Sequence, residues 1–296
     1  MSTTSVAVVQ AGSILLDTEA SLGKAERLIG EAAANGARLT VFPEAFIGGY
    51  PKGADFGVRI GSRSQEGRAL FRRYFESAVE VPGRATARLG AAAREHGSWV
   101  VIGVIERAAG TLYCTVLFFS PGGALAGRHR KLVPTAMERV IWGCGDGSTL
   151  PVIDTGFGRI GAAVCWENYM PLLRAALYAK GIELYCAPTV DDRDTWVPTM
   201  RHIALEGRCY VLSACQFVTA ASPSESIRGG SLIVGPLGEV LAGPHYGGER
   251  ILTADIDTSR IAEGKFDLDV SGHYARPDVF RLEVNESPAL PVTFTE

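Results

Sequence analysis

Short β-branched or apolar runs alternate with helical repeats along this chain, and the β-α-β-α order occurs twice, once before residue 100 and again after residue 159. No other feature restricts the fold so strongly. Residues 5–10 (Ser-Val-Ala-Val-Val-Gln) read as a first strand. Asp17 can cap a helix whose Leu22, Ala25, Ile29 and Ala32 recur at spacings of three and four. Residues 39–42 form a short buried strand stopped by Pro43, and helical patterns follow at about 67–78 and about 84–96, the second ended by Gly97. Strands are expected at 99–105, 112–119 and 125–130, divided by Gly-containing turns. A second alternation then runs through a strand at 159–164, a helix at 171–180 with Gly181 after it, a strand at 184–187, a helix at about 196–206 and a strand at 210–216. Strands at 231–234, 239–241 and 250–255 close the chain. Alternation argues for α/β, adjacent strand triplets argue for hairpins at sheet edges, and the two halves suggest a sheet each.

Composition excludes several classes. The 296 residues are 47% hydrophobic and 21% charged, too apolar for disorder. The longest wholly apolar runs, such as 160–166, fall far short of the roughly 20 residues that span a bilayer. With 29 Lys plus Arg against 32 Asp plus Glu the net charge is −3, so no basic excess exists to hold a phosphate backbone. Nucleic acid and membrane are therefore not expected as partners. The opening Met-Ser-Thr-Thr-Ser has no basic run ahead of an apolar segment, and no two of the six cysteines have C-x-x-C spacing. Reduced thiols and a cytoplasmic location are expected from these features. No linker interrupts the chain, so residues 1–296 are read as a single domain.

Three strand ends carry reactive side chains. Cys165 follows the apolar run 160–164 and precedes a helix starting near Pro171, whose N-terminus would favour a thiolate nucleophile. Glu44 follows the strand ending at Phe42, between Pro43 and Phe46, where desolvation would raise its pKa toward that of a general base. Lys131 follows residues 125–130 and could offset charge on a tetrahedral intermediate. Taken singly, each has a plainer reading: a core thiol, a capping or surface glutamate, a lysine in a basic loop. Together they gain weight, because strand ends of one sheet converge.

The motifs around these residues resemble the nitrilase branch of the carbon–nitrogen hydrolase superfamily. Pro43-Glu44-Ala45-Phe46-Ile47-Gly48-Gly49-Tyr50-Pro51 is similar to its glutamate motif. His129-Arg130-Lys131-Leu132-Val133-Pro134-Thr135, continuing through Glu138-Arg139 to Trp142-Gly143, is similar to its lysine motif. Gly161 through Cys165-Trp166-Glu167-Asn168 to Pro171 and Arg174 is similar to its cysteine motif, with Trp-Glu after the cysteine where related amidases more often show Tyr-Asp. Residues 200–207 and 272–278 also resemble nitrilases, so the likeness covers nearly the whole chain.

The resemblance implies a four-layer α-β-β-α sandwich of two mixed sheets. It implies Glu44 as base, Lys131 as stabiliser, Cys165 as nucleophile and Glu138 as a second glutamate positioning lysine and substrate. It also implies pocket walls from 50–56, Trp142 and 188–196, including Tyr50, Thr189 and Trp196, with Trp166 next to the nucleophile as a further pocket residue. The reaction implied is hydrolysis of a small organic nitrile to the acid and ammonia, with no metal or organic cofactor. The partner implied is a second copy of the chain, as a dimer or a spiral of dimers, and segments 54–73 and 220–228, which lie outside the core alternation, could carry its contacts. Trp166 and the Gly- and Pro-rich segment 43–51 suit a narrow slot for a linear nitrile. An amidase or carbamoylase on the same fold is the alternative, and a catalytically idle filament or scaffold subunit is the alternative of another class.

Other signals carry less. Gly156-Phe157-Gly158-Arg159-Ile160-Gly161 matches G-x-G-x-x-G but leads into a strand rather than a helix, which reads as a hairpin turn. Asp191, Asp192 and Asp194 have no calcium-loop spacing and read as a loop and helix cap. His202 and His273 lack zinc-helix spacing and read as hydrogen-bonded structural residues.

Overall fold

The computed structural model describes residues 3–290 and 292; residues 1, 2, 291 and 293–296 of the expected single-domain span lie outside the described residues. The first sheet runs Arg250–Ile256, Thr4–Gln10, Leu39–Val41, Trp99–Ala108, Thr111–Phe119, Leu125–Arg130. Its three strands from the first alternation, 4–10, 39–41 and 99–108, are parallel, and the flanking pairings are antiparallel. The parallel neighbours are joined through helices Thr18–Ala34, Gln65–Ser77 and Arg84–Glu95, as parallel connections require. Asp17 caps the first helix by accepting from the Ala20 N–H at 2.9 Å, a contact worth about 1 kcal/mol.

The second sheet repeats the plan. Strands Arg159–Ala162, Leu184–Cys186 and Tyr210–Ser213 are parallel and joined by helices Pro171–Ala179 and Trp196–Gly207. Ile153–Asp154 adds antiparallel at one edge, while Ile227–Val234 continues the other with Phe217–Val218 and Val240–Tyr246 paired to it. Sheets of this kind are mixed, as expected.

Period-two alternation then sorts the apolar side chains into layers. Val6, Val8, Val101, Ile160, Leu184, Cys186 and Leu212 pack together between the sheets. Val9, Val100, Ile102 and Leu117 face outward against Leu22, Ala25, Ile29 and Leu89 of the first helices. Ala163, Tyr185, Val211 and Leu232 face the other way against Leu173, Leu177, Met200 and Ile203. The result is the four-layer α-β-β-α sandwich.

The glycine-rich stretch is the hairpin turn it was read as: Asp154 pairs with Arg159 across residues 155–158. The strand expected over 210–216 stops at Ser213, because Gln216 turns away to bind the carbonyls of Glu44 and Ala45. A ribbon of Val58–Arg59 with Ser62–Arg63 and a helix Ser259–Asp267 were not legible; two-residue strands carry no periodicity to detect.

Candidate active site

Glu44, Lys131 and Cys165 all emerge from strand ends where the two sheets face each other. All three side chains are buried. The backbone turns sharply at each motif: Ala45, Ala136 and Cys165 itself adopt positive φ, at 51°, 46° and 50°. A left-handed non-glycine residue costs on the order of 1–3 kcal/mol and persists only where its surroundings hold it. Around Cys165 they do. Its N–H donates to the Pro188 carbonyl at 2.9 Å, and the Asn168 amide donates to the carbonyls of Cys165 at 2.8 Å and Ala163 at 3.0 Å.

Lys131 Nζ donates to Glu44 Oε1 at 2.6 Å and to Glu138 Oε2 at 2.8 Å. Glu138 also accepts the Thr135 N–H at 2.6 Å and the Tyr50 hydroxyl at 2.9 Å. Glu44 Oε2 is buried without a partner, on a carboxyl close enough to Cys165 for each to shift the other's titration. Burial raises the Glu44 pKa above 4.5, and Lys131 restrains the rise. Burial alone would discharge Lys131, yet the Glu44 carboxylate, with Glu138 adding to it, holds it well above the usual lysine range.

Cys165 differs from expectation. Burial, then the Glu44 carboxylate, push its thiol far above 9, with Lys131 and the Thr189 hydroxyl only partly opposing. The helix Pro171–Ala179 starts six residues on, after a separate 3₁₀ turn Cys165–Tyr169, too far for its N-terminus to favour a thiolate, since that influence fades within one turn. Burial and the Glu44 carboxylate thus favour the neutral thiol over the thiolate.

Of the expected pocket residues, Tyr50 and Trp142 line a cavity of about 240 Å³ with Phe56, Glu138 and Ile141. Their rings meet edge-on at 5.8 Å, and Lys131 Nζ lies 5.7 Å from the Trp142 ring. Thr189 is buried beside Cys165, its hydroxyl also accepting the Asp191 N–H at 2.8 Å. Trp166 is 43% exposed; Asp191 accepts its indole N–H at 3.0 Å and the Arg193 guanidinium covers its face at 4.7 Å. It therefore stands at a rim and does not wall a closed slot. Trp196 is not a pocket residue. It packs in the outer core with Met200 and Ile203 and donates to Ser213 Oγ at 2.9 Å, because its helix presents that face to the outer side of the second sheet.

Asp191, Asp192 and Asp194 form a loop, as expected, but cap no helix: Thr195 is the cap residue and makes no side-chain bond. They engage arginines instead, Asp191 with Arg193 and Asp192 and Asp194 with Arg228. His273 bonds the Lys265 carbonyl at 2.9 Å, whereas His202 is largely exposed, 3.7 Å from Glu206.

Sequence reasoning missed three supports. Gln216 holds the Glu44 carbonyl at 2.7 Å. Cys114 lies under the site, its Sγ 3.5 Å from Glu44 Oε1. His129 and Glu167 are fully buried and bonded at 2.9 Å. The last pair was signalled, since both residues sit inside the recognised motifs.

The sequence model of the carbon–nitrogen hydrolase family matches residues 5–266. An aliphatic nitrilase of Sinorhizobium fredii is 59% identical over 295 residues, covering 95% of this chain and 96% of its own. A bifunctional nitrilase/nitrile hydratase of Nicotiana tabacum is 56% identical, covering 97% and 88%, and nitrilase 1 of Arabidopsis thaliana is 53% identical, covering 99% and 90%. Among solved structures, the C. elegans NitFhit protein superposes with a TM-score of 0.78 at 23% identity, covering 98% of this chain and 69% of that one. An amidase from Nesterenkonia sp. gives 0.71 at 22%, covering 88% and 92%. Both structures support the fold.

Proposed function

The chain belongs to the carbon–nitrogen hydrolase family, on its nitrilase branch, and from that premise we propose that Glu44, Lys131 and Cys165 carry the hydrolysis of an organic nitrile to a carboxylic acid and ammonia. The observation that carries the assignment of roles is Lys131 Nζ held between two buried carboxylates, Glu44 and Glu138, beside a buried cysteine in a strained turn.

The charges fix the order of events. Glu44 and Glu138 with Lys131 leave the site one negative charge while the thiol is neutral. A thiolate formed in addition would face both carboxylates, so Glu44 takes the proton as sulfur attacks the nitrile carbon. The S–C bond forms, one C≡N π bond breaks, and the proton passes from Glu44 to nitrogen, giving a thioimidate. Glu44 then deprotonates a water that adds to carbon, and the proton again goes to nitrogen. The hydroxyl proton of the adduct passes through Glu44 to nitrogen, the C–N bond breaks, ammonia leaves, and a thioester remains. A second water repeats the addition, the C–S bond breaks, and acid and thiol are released. Lys131 offsets the charge that develops at the reacting carbon's substituents. Glu138, anchored by Tyr50 and Thr135, keeps Lys131 in place.

Nitriles are the expected substrates and the matching free amides poor ones. Relatives named bifunctional nitrilase/nitrile hydratase favour amide as an accompanying product. Comparing kcat/KM for one nitrile and its amide by ammonia release tests the reading: a better amide substrate would move the chain to amidase chemistry. Cys165→Ala must lose turnover while staying folded, since one thiol is removed; residual full activity would sink the mechanism, whereas a wild-type chain that turns over neither nitriles nor amides would revive the idle-scaffold reading.

Association with a second copy is part of the proposal. The ribbon at 58–63 presents Ile60 wholly to solvent, and Leu172, Phe266 and Phe280 are exposed, apolar area that a partner copy would cover. Sedimentation showing only a 31.5 kDa species at micromolar concentration refutes it. Among the described residues no helix is long and apolar enough to cross a membrane; a cytoplasmic location remains part of the proposal.

A further inference from the structure

Catalysis needs Lys131 and Cys165 in fixed relation, yet they stand on different sheets. One carboxylate spans the gap. Glu167 Oε2 accepts the N–H of Val164, next to Cys165, at 2.7 Å, and Glu167 Oε1 accepts the N–H of Leu132, next to Lys131, at 2.7 Å. Behind it His129 Nε2 reaches Oε2 at 2.9 Å, while His129 Nδ1 reaches the Thr149 carbonyl at 2.7 Å. Both ring nitrogens face acceptors, so both must carry hydrogen and the ring is an imidazolium. Its charge compensates the buried carboxylate: burial opposes both ions, but His129 holds the Glu167 pKa low and Glu167 holds the His129 pKa high.

We propose that Glu167 and His129 are positioning residues: the Glu167 carboxylate, backed by His129, clamps the cysteine loop to the lysine loop and thereby sets the reacting carbon against Lys131 and Glu44. The proposal rests on the nitrile-hydrolysing reading above. It has a chemical consequence beyond rate. The adduct R–C(OH)(NH2)–S either breaks C–N, when the proton reaches nitrogen and ammonia leaves, or breaks C–S, when the sulfur departs with the electron pair, regains the proton, and amide leaves. Protonation of nitrogen depends on Glu44, which Lys131 holds. Loosening the clamp displaces the sulfur-bound adduct from that pair and diverts turnover toward amide.

In Glu167→Gln one oxygen becomes an NH2 that cannot accept, so one of the two loop N–H groups loses its partner. Displacements near 1 Å in a reacting centre cost about 100-fold in rate. The expected result is kcat down about 10–100-fold, KM within about threefold, and an amide-to-acid ratio raised severalfold, with cooperative melting retained. The ratio is independent of how much protein is active, so mere loss of folded molecules cannot move it. His129→Gln, which leaves the carboxylate without its compensating charge, should shift the ratio in the same direction. An unchanged ratio in either folded variant overturns the proposal, and so does loss of the folded state in both, which would make the pair a stability element. Failure of the wild-type chain to hydrolyse any nitrile is a separate result that removes the functional reading itself.

Discussion

Gly103 lies in the strand Trp99–Ala108, alongside the turn that carries Glu44, the proposed base. A Cβ there would meet Pro43 O at 2.4 Å, Ala45 N at 2.6 Å and Glu44 Cα at 2.7 Å. All three are backbone, so no side chain can swing aside. Ordinary contact begins near 3.4 Å, and Gly103→Ala must therefore push the glutamate turn outward by about 1 Å. That turn is tied to the same glycine, whose N–H donates to Pro43 O at 3.2 Å and whose carbonyl accepts from Ile47 N–H at 3.1 Å. Overpacking of this kind costs about 1–3 kcal/mol, and a 1 Å error at the base costs about 100-fold in rate. The expected outcome is a folded protein with a lower melting temperature and ammonia release reduced about 100-fold. Gly110→Ala is the control, because a Cβ at that turn meets nothing within 4 Å; it should be near neutral in both measurements. A Gly103→Ala protein with wild-type turnover and melting temperature would show that the turn is not set by this close approach.

Lys131→Gln and Glu44→Gln should each lower kcat by about 100–1,000-fold, and near wild-type turnover in either variant removes its assigned role. Activity requires ionised Glu44, whose pKa burial raises above 4.5, so the acid limb of kcat/KM should lie above the ordinary carboxylate range. An acid limb at or below 4.5 would contradict the burial argument; the stability contribution has the opposite sign, since a raised folded-state pKa contributes fully below 4.5 and is lost as pH rises through the raised value. Trp196→Phe should cost about 1–3 kcal/mol through the lost bond to Ser213 while leaving KM unchanged, and a large KM shift would restore Trp196 to the pocket.

The layers were legible because alternation is a local property. Val8 and Val9, or Tyr185 and Cys186, face opposite sides by geometry alone, and the helices announced themselves through Asp17 and the Leu22–Ile29 spacing. The three reactive residues were legible as strand ends and, more strongly, as ordered motifs. What escaped was whatever depends on contacts between distant segments. The thiolate expected of Cys165 is disfavoured: local order placed a helix nearby, while the tertiary structure inserts a 3₁₀ turn, buries the sulfur and sets the Glu44 carboxylate beside it. Trp196 was assigned to the pocket by sequence position, but the face its helix turns inward is set by packing against the second sheet. Gln216, 172 residues from Glu44, left no signal at all.

The neutral thiol gives the sandwich a chemical purpose. A thiolate held ready by a cation would need no base, and Lys131 alone could supply one. Here Lys131 is shared between two carboxylates, and its charge is more than spent on them. In the proposed mechanism sulfur therefore ionises only as Glu44 accepts the proton, and a nitrile needs that same proton delivered to its nitrogen. Such coupling works only if the base and the nucleophile, which arise from different sheets, keep their spacing throughout turnover. Under that mechanism the buried ties between the halves, Gln216 to Glu44 and Glu167 to Leu132, serve the chemistry as much as the fold.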